Sequence, residues 1–295
     1  MSKILIIGGT GYLGRHLSKV LSINHEVYIT SRFENKEKNS FVFNLEQEFI
    51  FDNIDFNSFD FVFMLASSIS GLKSKKIEGS TFDINCLAYK NLMNHLVDIN
   101  FNKNYFYISS MTVYSTNNKN PVDESGSTFS PPNPYGLSKL FAEQLTEFYC
   151  RENNFKGVVI RIPGLFGGDR KSGFIYNAIN KLSKNEDFHI STENLKYWET
   201  ISVTDASDML LEFLNNYKWE LDFDIFNVSY GHETDIIKLA FFIKEKLDSK
   251  SEITTTIPKG YLPFYLNNEK YMLLTDNYTK NFNKSLLNYI NENVQ

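Results

Sequence analysis

A tyrosine and a lysine fall four residues apart in Tyr135-Gly136-Leu137-Ser138-Lys139. On a helix that spacing puts both side chains on one face, a turn apart. A free phenol holds its proton up to a pKa of about 10. A neighbouring ammonium favours the phenolate, so such a pair can exchange protons as a general acid and base. Chance often produces the same spacing, and the pair needs company. It has company upstream, where the apolar run before Ser109-Ser110-Met111-Thr112 ends in hydroxyls able to bind a substrate oxygen beside the tyrosine.

A second constellation lies at the start. Gly8, Gly11 and Gly14 punctuate Gly8-Gly9-Thr10-Gly11-Tyr12-Leu13-Gly14, directly after the apolar Lys3–Ile7. Glycines at these places allow a tight turn, close approach of backbone to a pyrophosphate, and packing of helix on strand. N–H groups at the helix start then face the phosphates. Thr10, Tyr12 and Leu13 share that turn and are expected to contact the same ligand. The next strand ends Ile29-Thr30-Ser31-Arg32, with no acid before Glu34. An acid there would take the 2′-hydroxyl of NAD, whereas an arginine accommodates the 2′-phosphate of NADP. Ser31 and Arg32 therefore favour NADP(H) over NAD(H).

These residues need a scaffold. Apolar runs predict strands at Lys3–Ile7, Val27–Thr30, Phe41–Phe43, Phe59–Leu65, Tyr105–Ser109 and Gly157–Ile162. Helical patterns run through about Leu21, over Asp83–Asp98, and over Asn133–Arg151, the last capped by Asn133 with Pro134 in its first turn. This alternation predicts an α/β fold with a Rossmann-like, doubly wound parallel sheet. Ligands then sit beyond the carboxyl ends of the strands. Residues 1–162 form the expected dinucleotide-binding domain. Residues 163–295 form a smaller mixed lobe for substrate, with helices at Phe174–Leu182, Ser207–Asn215 and Asp235–Leu247. Phe223–Val228 is the segment expected to return to the main sheet.

The bulk numbers bound the partners. A hydrophobic fraction of 42% is enough for a sizeable core. The net charge of −5 comes from interspersed acids and bases without a basic run, which argues against nucleic acid or an anionic membrane. Glycines interrupt the first apolar run too early for a signal peptide or a membrane span. Cys86 and Cys150 suggest neither a disulfide framework nor a metal site. His16, His25, His95 and His232 lack metal-ligand spacing. The expectation is a cytoplasmic protein without a metal.

With these motifs in order, the chain resembles an extended short-chain dehydrogenase/reductase of the NAD-dependent epimerase/dehydratase group. The matching pieces are GGTGYLG, FDFVFMLAS, Asn85, SSMTVY, PYGLSK, RIPGLFG and, more weakly, WETISVTD at Trp198–Asp205. The resemblance implies a catalytic set of Ser110, Tyr135 and Lys139, with Thr112 as a less favoured substitute for Ser110. Lys139 would hold the nicotinamide ribose and lower the Tyr135 pKa. On the cofactor side it implies Asn44 and Leu45 after the third strand and Leu65 and Ala66 after the fourth. Asn85, Ser109 and Pro163 complete that side.

The departures lie on the substrate side. Dehydratases of the group carry an Asp-Glu pair where this chain has Met111 and Thr112, so elimination of water has no evident agents. The group's Asn after the sixth strand is Gly164, and its His at the fourth strand end is Leu65. The Arg of its late motif is replaced near Tyr197 or Trp198. Lys196, Arg170 or Lys171 would then supply charge to a diphosphate, with Met111, Thr112 and Trp198 bordering the substrate. His189 is either a second acid or, the favoured reading, structural. Asp123-Glu124 reads as a solvated acidic turn, and the aromatic residues of 261–271 as packing. The leading expectation is a reductase of a nucleotide-linked 4-keto sugar. A nucleotide-sugar 4-epimerase using NAD is the alternative, and a non-catalytic NADP-binding regulatory protein a second one. A homodimer built on the helices around Asp83–Asp98 and Asn133–Arg151 is expected from the family alone.

Overall fold

Strands of a parallel sheet are covered on both faces and carry near-continuous apolar runs. β1 (Lys3–Ile7) is such a strand. Ile4 and Ile6 enter one core, Leu5 and Ile7 the other, and all four are fully buried. The structure, a computed structural model, describes residues 1–34, 39–45, 53–70, 76, 79–191, 196–257, 262–278 and 280–294, with backbone alone at 80, 196–198, 262 and 263.

After β1 come α1 (Tyr12–Leu21), β2 (Glu26–Ser31), β3 (Ser40–Val42) and β4 (Phe61–Met64). A short α2 (Gly79–Phe82) leads through a π-helical stretch, Asp83–Ala88, into α3 (Tyr89–Asp98). β5 (Asn104–Ser110), α4 (Pro134–Glu152) and β6 (Lys156–Ile162) finish the first half. β7 (Gly164–Phe166), α5 (Phe174–Leu182), β8 (Phe188–Ser191), β9 (Lys196–Trp198) and β10 (Thr200–Ser202) open the second. α6 (Val203–Asn216), β11 (Phe223–Asn227), α7 (Ile236–Lys246) and β12 (Ile253–Thr256) follow. β13 (Leu262–Phe264), α8 (Glu269–Leu274) and α9 (Phe282–Val294) end the chain.

Among the described residues, seven strands form one parallel sheet in the order β11-β6-β5-β4-β1-β2-β3. The order reverses between β1 and β4, the place where open α/β sheets bind ligands. This is the expected Rossmann-like fold, and β11 returns to the sheet beside β6 as the sequence suggested. α6 also belongs to the large layer. Its Val203, Ala206, Met209 and Leu210 share a core with Leu13, Leu17 and Leu21 of α1.

Two helices differ from expectation for identifiable reasons. The helix read as continuous over Asp83–Asp98 begins with a π-helical stretch. Such widened turns recur at functional sites, and this one carries Asn85 into a polar bracket described below. α6 starts at Val203 rather than Ser207. Asp205, the last residue of the weak motif, lies inside, its carboxylate accepting hydrogen bonds from Tyr230 and Ser285.

The remaining strands pair in twos, β7 with β10, β8 with β12 and β9 with β13. Glu199, fully buried between β9 and β10, ties this region together. Its carboxylate accepts the N–H groups of Gly231 and Leu266, each at 3.0 Å. Burial pushes that carboxyl up to about 7 against the opposing pull of these donors. Phe264 and Tyr271 are fully buried, in line with the packing role expected of 261–271, although residue 261 lies outside the described residues.

Candidate active site

The carboxyl ends of β1, β2, β4 and β5 open into one cleft of about 2030 Å³. Gly8, Thr10, Gly11, Tyr12 and Leu13 line its nucleotide end. Gly14 does not reach the cleft, and its role is packing. A Cβ there would meet the Gly8 carbonyl oxygen at 2.4 Å, so any larger residue would push α1 off the turn. The N-terminus of α1 has no side-chain cap. Its first N–H groups therefore suit an anionic ligand, and the turn fits the pyrophosphate of a dinucleotide. Thr30 helps to shape it by accepting the Gly8 N–H at 3.0 Å.

At the end of β2 both expected residues line the cleft, with different exposure. Ser31 is buried and gives its hydroxyl hydrogen to the Phe33 carbonyl. Arg32 is exposed and lines the cleft. Asn44 and Leu45 border the same end, while Leu65, Ala66 and Pro163 line the middle. Asn85 does not line the cleft, although its neighbour Ile84 does. Its amide is a bracket instead. Oδ1 accepts from the Ser67 hydroxyl (3.1 Å) and the Ser68 N–H (2.7 Å). Nδ2 donates to the Ser68 carbonyl (2.8 Å) and the Ser138 hydroxyl (2.9 Å).

α4 delivers the chemistry. Asn133 caps it by accepting the Gly136 N–H at 2.8 Å, with Pro134 in its first turn. A Cβ on Gly136 would lie 2.2 Å from the Thr112 carbonyl oxygen. Its absence lets the helix press against the end of β5. Ser110, Tyr135 and Lys139 thereby meet on the cleft wall. The Ser110 oxygen accepts from the Thr112 N–H (3.2 Å) and the Thr112 hydroxyl (3.0 Å). Its own hydrogen is left to point elsewhere.

Burial pushes the Tyr135 phenol up to about 12, and the Ser67 and Ser110 hydroxyls beside it pull the other way. The expected lowering by Lys139 is not seen. The Lys139 ammonium donates to the Ile108 carbonyl at 2.6 Å and lies 4.1 Å above the Tyr107 ring. Burial draws its pKa down to about 7, with Glu143 opposing. Spacing placed the two groups a turn apart but could not show which acceptor the long lysine stem would choose.

Below Lys139, α4 carries a buried carboxylate. Glu143 receives the Ser109 hydroxyl and three contacts from Arg161 of β6, the shortest 2.7 Å. Arg161 donates to the Tyr114 hydroxyl at 2.9 Å, which donates to Asn227 at 2.8 Å. The Asn227 N–H in turn reaches Glu124 at 2.8 Å. Glu124 is thus a half-buried brace, where a solvated turn was expected. Asp123 does close a local turn, with its carboxylate accepting the Ser125 and Gly126 N–H groups.

On the substrate side, Thr112 and Arg170 line the cleft. Arg170 sits over the Tyr12 ring at 5.5 Å and donates to the Leu165 carbonyl at 2.9 Å. Met111 borders the cleft but is almost wholly buried in an apolar cluster with Val113, Tyr114 and Phe264. Lys171 turns away to Asn293 of α9 at 2.6 Å. His189 is bound by Thr254 (2.8 Å) and Thr256 (3.1 Å) across the β8–β12 pair, off the cleft, as the structural reading expected. The side chains of Lys196, Tyr197 and Trp198 lie outside the described residues. The sequence reading missed Ser67, Ser68, Ser70, Thr116 and Asn117, all of which line the cleft. Ser67 and Ser68 follow a recognised strand, but short polar residues in a loop carry no periodic signal.

Comparison with known proteins agrees with this geometry. The family model described as NAD dependent epimerase/dehydratase family matches residues 4–229. A putative UDP-glucose 4-epimerase of Methanocaldococcus jannaschii is 27% identical over 87% of this chain and 86% of its own length. A dTDP-4-dehydro-6-deoxyglucose reductase of Escherichia coli is 26% identical over 85% and 83%. Among solved structures, a UDP-glucose 4-epimerase of Thermotoga maritima with UDP-glucose shares the fold at a TM-score of 0.83 and 20% identity. That match covers 99% of this chain and 100% of the other. No described helix is long and apolar enough to cross a membrane. The glycine turn, the Ser110–Tyr135–Lys139 wall and the family match over residues 4–229 together make this chain an NAD(P)-dependent enzyme of the NAD dependent epimerase/dehydratase family, of the extended short-chain dehydrogenase/reductase type.

Proposed function

We propose that the enzyme is an NADPH-dependent reductase of a nucleotide-linked 4-keto sugar. The observation that carries this is Arg32, exposed on the cleft wall at the end of β2, where an NAD enzyme would place an acid. The cleft also exceeds the roughly 300–1,000 Å³ of ordinary ligand sites, which suits a dinucleotide and a nucleotide sugar together. When bound, the cofactor supplies a hydride to the keto carbon. Ser110 turns its hydrogen to the carbonyl oxygen, and Tyr135 gives that oxygen a proton. Lys139 holds the ribose hydroxyls, and Arg170 faces the substrate diphosphate.

The test is oxidation of NADPH by a freshly made nucleotide 4-keto sugar, compared with NADH. Loss of a charge-assisted hydrogen bond is worth about 1.5–3 kcal/mol. Arg32→Ala should therefore weaken NADPH binding by roughly tenfold to a hundredfold and leave NADH binding unchanged. Equal affinity for both cofactors in wild type would remove the NADP preference. The second reading, an epimerase using NAD, draws support from the relatives named as 4-epimerases. It would be established by interconversion of nucleotide hexoses without net cofactor oxidation. The non-catalytic alternative leaves the Tyr135 and Lys139 pair without a purpose.

We also propose that two copies pair through α4. Leu137, Phe141 and Phe148 are exposed, with 41%, 42% and 58% of their surface accessible. They fall within a narrow stripe of the helix. Sedimentation should show a dimer that Phe141→Glu with Phe148→Glu converts to monomer. A monomeric wild type would end the idea.

A further inference from the structure

Tyr12 belongs by its backbone to the nucleotide turn, but its side chain reaches across to the substrate side. The Tyr12 hydroxyl donates to the Gly167 carbonyl at 2.6 Å. The Arg170 guanidinium lies over the Tyr12 ring, 5.5 Å from its centre, within the reach of a cation–π contact. Further along α1, Arg15 donates to the Thr10 carbonyl at 2.8 Å and to the Asp169 carboxylate at 2.7 Å. His16 Nε2 lies 3.6 Å from the other Asp169 oxygen. The segment 167–172, between β7 and α5, is thus fastened to the first turns of the cofactor helix.

Two neighbours in that segment have opposite surroundings. Asp169 is exposed, and the Arg15 guanidinium holds its carboxyl below the usual range. Arg170 is half-buried and, among the described residues, takes part in no ion pair. Its guanidinium donates to neutral acceptors, the Leu165 carbonyl at 2.9 Å and the Ser172 hydroxyl at 3.2 Å. Its backbone carbonyl accepts the Tyr289 hydroxyl of α9. The remaining guanidinium N–H groups make no bond to a described residue, and the side chain lines the cleft. A guanidinium with an aromatic support, spare donors and no counter-ion suits an anion. The carboxylate one residue away would take that place first if it were free, and Arg15 keeps it occupied.

We infer that Tyr12 and Arg15 of the cofactor helix are positioning residues for the substrate anion, Tyr12 by supporting the Arg170 guanidinium and Arg15 by keeping the Asp169 carboxylate away from it. The inference rests on reading Arg170 as the contact to the substrate diphosphate. Two residues of the nucleotide motif then act on substrate affinity rather than on the cofactor. The Arg15–Asp169 bridge is exposed on both sides, at 46% and 60%, so its loss costs the fold little. What it governs is where a negative charge sits. Without Arg15, the Asp169 carboxylate turns to Arg170 and competes with the diphosphate. Without Asp169 as well, the competitor is gone.

The experiment titrates UDP, dTDP and GDP by calorimetry into protein saturated with NADP⁺, so that the cofactor site is already filled. Arg170→Ala should weaken the tightest of the three by about tenfold to a hundredfold. Arg15→Ala should weaken it by about tenfold, and adding Asp169→Ala to Arg15→Ala should return it close to wild type. Tyr12→Leu should cost about fivefold, while Tyr12→Phe, which keeps the ring, should retain most of the affinity. NADP⁺ affinity, measured separately, should not change in Arg15→Ala. An Arg15→Ala variant that binds as wild type would overturn the inference, and so would a loss that Asp169→Ala does not relieve, since that marks a damaged loop. Weaker NADP⁺ binding in Arg15→Ala would overturn it too, because Arg15 would then serve the cofactor itself. The reading beneath it fails separately. Undiminished binding in Arg170→Ala, or a wild type that binds none of the three nucleotides, removes Arg170 from the diphosphate and the positioning role with it. A wild type that reduces no nucleotide keto sugar would sink the substrate reading alone, since these titrations do not depend on turnover.

Discussion

Tyr135→Phe should abolish turnover while leaving cofactor binding nearly intact. A positioned general acid contributes about a hundredfold to ten-thousandfold in rate, and the variant removes the one oxygen that can pass a proton to the substrate beside Ser110. The ring remains, so the first turn of α4 keeps its packing. The Asn133 cap and the Ser138 bond to the Tyr135 carbonyl do not involve the phenol. Titration with NADPH should therefore give an affinity close to wild type, and steady-state assays should show loss in kcat rather than in KM. Undiminished turnover would take Tyr135 out of the mechanism. Lost cofactor binding would show that the phenol's chief task is holding the nicotinamide end.

Glu143→Gln or Arg161→Met should each destabilise the fold by about 3–5 kcal/mol, the usual cost of breaking a buried ion pair by removing one partner. Both side chains are 2% exposed, and their closest approach is 2.7 Å. Burial works against the Arg161 charge, but Glu143 and Tyr114 more than offset it and hold the guanidinium protonated. Arg161 is further enclosed between the Tyr114 ring at 4.9 Å and the Phe129 ring at 4.6 Å. Either single change strands the other charge in a site almost closed to solvent. Thermal or denaturant unfolding measures the loss. Replacing both partners with apolar residues should recover much of it, because neither charge is then left alone. Single variants as stable as wild type would show that the pair is already hydrated. Glu143 has a second consequence, since it is the larger of the two groups, with Cys86, that oppose the fall in the Lys139 pKa. Without it, a smaller fraction of Lys139 carries charge at neutral pH.

The difference between what the sequence disclosed and what it concealed follows from range. The glycine turn and the Tyr135–Lys139 pair were legible because each is local. A helix repeats about every 3.6 residues, so a separation of four fixes a shared face before any tertiary contact exists. The strands were legible because a parallel sheet is buried on both sides and demands unbroken apolar runs. Ser31 and Arg32 were both legible as strand-end residues, but the bond of Ser31 to the Phe33 carbonyl was not, since it depends on the path of the following chain.

Other features depend on residues far apart in sequence. Ser67 reaches Asn85, Asn85 reaches Ser138, and Tyr114 reaches Asn227 across 113 positions. No spacing rule links such residues, and short polar side chains in loops have no period to betray them. The same holds for Lys171 and His189, whose charges and rings are spent on α9 and on the β8–β12 pair. By itself the sequence determined the fold class, the nucleotide turn and the pairing of tyrosine with lysine, because helix and strand geometry convert local order directly into position. Tertiary structure alone decided that Lys139 would bind the Ile108 carbonyl and that the Ser67 hydroxyl would go to Asn85. It also decided that Glu143 would meet Arg161, since a buried polar group takes whichever partner the packed chain brings within reach.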